Sequence, residues 1–207
     1  MSAAAEARRP LACAAAALAA LLVMPPLLTG CASLRAPPTV LPPDVQEQLL
    51  LALPGFSLKG RALVQQEIAS LDWQQREDDA RVRLSGPFGA GAITVDFSPA
   101  RLTISLRGEA YDNAAAETVL LREIGFVPPF DALRYWVLGL AAPGEPPSAR
   151  TGSEEGRLGS LTQRGWHIRY EQWQAVAARG GGVQLPRRVT ITRDDLRLRV
   201  VVDRWKL

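Results

Sequence analysis

The chain has 207 residues, with 24 Lys and Arg against 21 Asp and Glu, one His and two Cys, for a net charge of +3. The length suits one domain with a real core. One His and two Cys cannot supply a four-ligand Cys/His zinc site and leave little for Ser-His-Asp or Cys-His catalysis. The Arg residues are scattered rather than blocked, so no nucleic-acid footprint is indicated, and no G-x-x-x-x-G-K-[ST] phosphate loop occurs.

At the N-terminus, Arg8 and Arg9 precede an almost wholly apolar run from Leu11 to Leu28, which passes into Leu28-Thr29-Gly30-Cys31. Charge, apolar run and small residues in that order make the layout of a secretory signal. The run is marginal for a spanning helix, which needs roughly 20 apolar residues, and Pro25-Pro26 breaks its end. An ordinary signal peptide or an uncleaved anchor shares this layout. The tetrapeptide, however, resembles the lipobox of bacterial lipoproteins. That resemblance implies diacylglycerol on Cys31, cleavage just before it, and acylation of the new amine. Cys13 then leaves with residues 1–30, and the mature chain keeps no free thiol and no disulfide. Loss of Glu6, Arg8 and Arg9 takes the net charge from +3 to +2. Ala32, where an Asp would mark inner-membrane retention, implies a place in the outer membrane, facing the periplasm. Pro37, Pro38, Pro42 and Pro43 make residues 31–43 read as a stiff tether, with the folded domain over residues 44–207.

The elements then follow in order. Val45, Leu49 and Leu53 give a helix over roughly Asp44 to Leu53. From Pro54 onward, period-two alternation recurs. Val82 and Leu84 make one strand; Ile93, Val95 and Phe97 the next; Leu102, Ile104 and Leu106 a third. Asp112-Asn113 caps a helix to Ile124, with Val119, Leu120 and Ile124 on one face and Gly125 as its stop. Asp131 caps another, with Leu133, Trp136, Val137 and Leu140 at i, i+3, i+4 and i+7. A loop rich in Gly, Pro, Ser and Glu runs from Ala141 to Arg157. Strands return at Trp166, Ile168 and Tyr170, at Val189 and Ile191, and at Leu196, Leu198, Val200 and Val202. Each has one apolar and one polar face, as in an antiparallel sheet with one side wet. Helices over one sheet face make the class α+β.

Five segments carry a more specific likeness: Asp72-Trp73-Gln74-Gln75; Gly86-Pro87-Phe88-Gly89; Leu133-Arg134-Tyr135-Trp136-Val137-Leu138-Gly139-Leu140; Gln163-Arg164-Gly165-Trp166; and Leu185-Pro186, with the last strand ending at Trp205. Their order and spacing resemble the LolA/LolB-like lipoprotein-localisation family, and within it the LolB type, from about Val45 to Trp205. The resemblance implies a curved, incomplete antiparallel β-barrel whose open side is plugged by helices around an apolar cavity. It also implies a receptor that takes lipoproteins from the periplasmic carrier LolA and passes their acyl chains into the outer membrane. No catalytic residue, metal or cofactor is expected beyond the covalent lipid and the cargo's acyl chains. A monomer is expected.

Exposing acyl chains to water is what such a site must prevent. At about 0.8 kcal/mol per CH₂, a chain of about fifteen groups costs on the order of 12 kcal/mol when wet. Candidate lining residues are Trp73, Val82, Leu84, Ile93, Val95, Leu102, Ile104, Leu133, Trp136, Leu140, Trp166 and Ile168, although a packed core would give the same pattern. Phe88, between Pro87 and Gly89 in an expected hairpin tip, either folds back on the core or protrudes. The resemblance places a protruding apolar residue there that engages the membrane during insertion. His167 alternates with Trp166 and Ile168 and should point outward. Asp78-Asp79, Glu154-Glu155 and Asp194-Asp195 read as solvated turn residues. Arg134 is free to pair with a carboxylate or with an incoming carrier, and the Arg-rich strand faces could dock an acidic partner. An envelope lipoprotein serving only as a scaffold or protein-binding module remains the alternative. A lipid hydrolase lacks both a G-x-S-x-G elbow and a His partner.

Overall fold

A computed structural model describes residues 38–86, 91–152 and 157–207, which form one compact unit. Helix α1 (Pro43–Leu51) leads into β1 (Gly55–Val64), β2 (Glu67–Arg76), β3 (Asp79–Ser85), β4 (Ile93–Ser98), β5 (Arg101–Leu106) and β6 (Glu109–Asp112). Two helices follow, α2 (Ala114–Ile124) and α3 (Phe130–Leu138). The chain ends in β7 (Ala149–Gly152), β8 (Leu158–Gln163), β9 (Trp166–Ala178), β10 (Gly181–Arg193) and β11 (Leu196–Lys206).

All eleven strands join one antiparallel sheet in the order β6-β5-β4-β3-β2-β1-β11-β10-β9-β8-β7. Every neighbour is the next strand along the chain except β1 and β11, whose pairing joins the two ends. The sheet is therefore a meander opened at one place, between β6 and β7, and α2 and α3 are the chain that crosses that opening. This is the incomplete barrel with helices that the family likeness implied.

Alternation places the core. In β1 the inner positions Phe56, Leu58, Ala62 and Val64 are buried, and in β3 Ala80 and Val82 are buried between exposed Arg81 and Arg83. The strand bends where it must. At Gly60 the β1–β11 register shifts, and a Cβ there would stand 2.0 Å from the Val201 carbonyl oxygen, so only glycine allows the two backbones to approach. Pro186 lies inside a central strand, which its missing N–H would normally forbid. The β9–β10 register breaks between Pro186 and Arg188, and again between Arg188 and Val189.

Several expectations shift in detail. The tether does not run free to Pro43. Thr39 accepts a hydrogen bond from the Gly182 N–H (2.7 Å), and the Leu41 N–H donates to Gly182 (2.9 Å), so this stretch is stitched to β10. Asn113 does not cap α2 with its side chain. It is held at φ 47°, and its Oδ1 instead accepts from the Leu102 N–H at 3.1 Å. Asp131 is not a cap either: α3 begins at Phe130 after Pro129, and Asp131 sits in its first turn, bonded to Arg164 at 2.5 Å. Gly125 and Gly139, at φ 85° and 84°, end the two helices in the left-handed conformation. The expected loop from Ala141 to Arg157 contains the short edge strand β7, whose four residues are all exposed and so carry no alternation to read.

Candidate functional site: an apolar cavity beneath two helices

Between the inner face of β1–β4 and the two helices lies a cavity of about 60 Å³. Its walls are apolar throughout. Trp73, Val82, Leu84, Ile93 and Val95 come from β2–β4; Leu120 and Ile124 from α2; Phe130 and Leu133 from α3. The sequence put twelve residues on this lining. Six of them, Trp73, Val82, Leu84, Ile93, Val95 and Leu133, meet around the cavity. Leu102, Ile104, Trp136, Leu140, Trp166 and Ile168 do not, and belong to packed core. The reason is cover. Helix α2 lies on β5, and the Trp136 ring of α3 fills the space before β9, 6.4 Å from the Trp166 ring. Alternation gives each of these residues an inward side chain but not what stands opposite it.

The cavity adjoins a groove open to solvent. This groove, of about 320 Å³, shares Val64, Leu84, Ile93 and Ile124 with it and opens between the C-terminal end of α2, the β1–β2 turn and Ser85–Gly86. Gln65 and Glu67 stand at its rim. A larger groove of about 630 Å³ on the sheet is lined instead by Gln74, Arg76, Arg81, Asp96, Arg101 and Thr103. Arg81 binds Asp96 there at 2.5 Å. Asp112, next to that groove, accepts from Arg101 and Thr103, and these bonds hold its carboxyl below the usual carboxylate range. Charged walls of this kind are no place for hydrocarbon, so the smaller apolar cavity is the candidate site.

Two polar clusters fix α3 over the cavity. Gln163, fully buried at the end of β8, accepts from the Trp136 indole N–H (2.8 Å) and the Ala142 N–H (2.9 Å). Its amide donates to the Ala142 carbonyl (2.7 Å) and to that of Glu145. All four hydrogen-bonding sites of the amide are used, as burial demands. At the second cluster, Arg134 donates to the Glu77 carbonyl and to Asp78 at 2.7 Å, and its guanidinium lies 5.0 Å from the Tyr135 ring centre. Gln75 donates to the same Glu77 carbonyl at 2.8 Å while accepting from the Trp73 indole at 3.0 Å. Arg134 thus pairs within the molecule, and Asp78 is an ion-pair partner rather than a simple solvated turn residue. His167 is exposed, as expected, with Thr162 Oγ1 3.2 Å from its Nδ1.

Gln75 and Gln163 were named only as letters of motifs. A buried glutamine has no periodic signature, and only the segment likeness marks it. Cys31, Phe88 and Glu154-Glu155 lie outside the described residues.

The model of the family "Outer membrane lipoprotein LolB" matches residues 55–205. Among curated relatives, the outer-membrane lipoprotein LolB of Chromohalobacter salexigens is 34% identical over 195 residues, covering 90% of this chain and 88% of the relative. That of Nitrosococcus oceani is 33% identical over 190 residues, covering 87% and 92%. That of Halorhodospira halophila is 35% identical over 193 residues, covering 86% and 89%. With the fold and the covered apolar cavity, these matches place the chain in the LolB family of outer-membrane lipoproteins, whose members are non-catalytic lipoprotein receptors.

Proposed function

We propose that the apolar cavity beneath α2 and α3 receives the acyl chains of cargo lipoproteins, handed over by LolA, and that the chain then releases them into the outer membrane as a monomer anchored through Cys31. The observation that carries this reading is a cavity walled by apolar side chains alone, adjoining an open groove that serves as its mouth once a wall moves. No covalent step or nucleotide is required, because a modest difference in affinity between carriers is enough to move cargo.

Volume sets the mechanism. A cavity of about 150 Å³ holds one benzene, so about 60 Å³ falls well short of a full acyl chain. A full acyl chain therefore enters only as a wall moves. Helix α3 is clamped by Gln163 and Arg134. Helix α2 is tied to the sheet at its start, where Asn113 and Leu102 exchange two bonds. Its other side-chain bonds among the described residues stay within the helix, Thr118 to Ala114 and Arg122 to Glu123. The C-terminal half of α2 is thus the wall that swings away, opening the cavity at the mouth.

Phe88 engages the membrane at delivery. Burying one such side chain contributes roughly 1.5–3 kcal/mol, enough for a transient contact and too little to anchor. The test is a reconstituted transfer from LolA through this protein into vesicles, using cargo labelled on its acyl chain. The wild type should take cargo and deliver it. Phe88→Glu should keep the fold and take cargo but fail to deliver. No uptake by the wild type would favour a scaffold and contradict the proposal.

A further inference from the structure

The outer surface of the sheet carries an apolar patch that the cavity does not explain. Ile68, in β2, is 63% exposed, the largest exposure among the described large apolar side chains. Its cross-strand partner is Leu63 of β1, and both point away from the core, since Ala62 and Val64 point into it. The same row continues through Arg199 of β11 and Thr190 of β10 to Arg169 of β9. Arg61 and Arg197 stand two residues to either side of Leu63 and Arg199 respectively, on the same face.

The acids near this patch are Asp203, Glu171 and the exposed Asp194 and Asp195 of the β10–β11 turn. Asp203 binds Arg61 at 3.4 Å. Glu171 accepts from Thr190 at 2.9 Å, while Arg199 donates to the same hydroxyl at 3.3 Å. Arg169, Arg197 and Arg199 enter no salt bridge among the described residues. An exposed Ile68 beside the half-buried Leu63, flanked by Arg, has a specific fit. The apolar groups enter the headgroup boundary while guanidinium groups bind lipid phosphates.

We propose that this face of the β1–β2 hairpin and β11 docks on a lipid surface bearing anionic headgroups. Position supports it. The β1–β2 hairpin that carries Leu63 and Ile68 outward also supplies Val64, Gln65, Glu67 and Ala69 to the mouth. A protein seated on this face therefore holds the mouth of its cavity at headgroup level, where a released acyl chain crosses the least water. The inference rests on the proposed transfer function and deepens it by naming the surface that meets the membrane.

The test uses the lipidated protein in vesicles. With Cys13 removed and Cys31 lipidated, Ile68→Cys introduces the sole thiol, which is labelled with a fluorophore and quenched by headgroup spin-labelled lipid. A label at Ala100→Cys, in the exposed β4–β5 turn at the end of the sheet opposite the β1–β2 turn, is the control. In phosphatidylethanolamine–phosphatidylglycerol vesicles, quenching at position 68 should exceed that at 100 several-fold. Removing Arg197 or Arg199 as Glu should lower the docked-to-undocked ratio about fivefold or more each, as should high salt. Equal quenching at the two positions, or unchanged quenching in phosphatidylcholine alone, overturns the proposal. So does a label at 68 that lipid leaves unquenched but LolA shields, which makes this face a protein interface. Cargo uptake from LolA in solution, measured on the same samples, keeps the two ideas apart. Uptake without docking sinks only the surface, and docking without uptake sinks only the transfer function.

Discussion

Helices α2 and α3 bridge the same opening in the sheet and line the same cavity, yet they are held by different forces. Seven of the nine residues of α3 are buried, and side chains bind it to the β2–β3 turn and to β8. Helix α2 buries Ala116, Val119 and Leu120, exposes Leu121, and among the described residues is bonded to the sheet only through Asn113, just before its start. Directional bonds fix an orientation, whereas apolar contact tolerates sliding. One helix is thus a rigid floor and the other a wall that can be displaced by hydrocarbon offering equivalent contact.

The largest expected effect is on the floor. Gln163→Leu strands the Trp136 and Ala142 donors and the Ala142 carbonyl in the core, each costing about 1–3 kcal/mol when unsatisfied. Denaturant unfolding should show a loss of about 3–5 kcal/mol; a loss under 1 kcal/mol would mean that α3 is held by packing alone. Arg134→Met is milder, because the Glu77 carbonyl keeps Gln75 and Asp78 is already largely exposed. About 1–3 kcal/mol should be lost in the same experiment. At the small end, Arg122→Ala on α2 removes only an exposed intrahelical pair and should change stability by less than about 0.5 kcal/mol. A loss of 2 kcal/mol there would erase the contrast between the two helices.

The sequence revealed the strands where one face is apolar and the other charged, as in Arg81 to Ser85 or Trp166 to Glu171. It was silent where that contrast fails. In β2, Ile68 points outward and Gln75 inward, inverting the pattern at both ends. In β6 and β7 most side chains are exposed. Both helices were readable from their spacing and from Gly125, but their caps were not, because Asn113 and Asp131 are used for bonds to β5 and to Arg164. The cavity was half legible. Inward residues can be named from alternation, but whether they face a void or another side chain depends on how α2 and α3 pack back over the sheet. The Arg134–Asp78 pair shows the same limit, as it joins residues 56 apart.

One measurement tests the central claim directly. A cargo lipoprotein carrying a photoactivatable group near the end of an acyl chain is loaded from LolA, irradiated, and the crosslinked residues are identified. Crosslinks should fall on Trp73, Val82, Val95, Leu120 and Leu133. Crosslinks confined to the outer face of the sheet, with none inside the cavity, would contradict it.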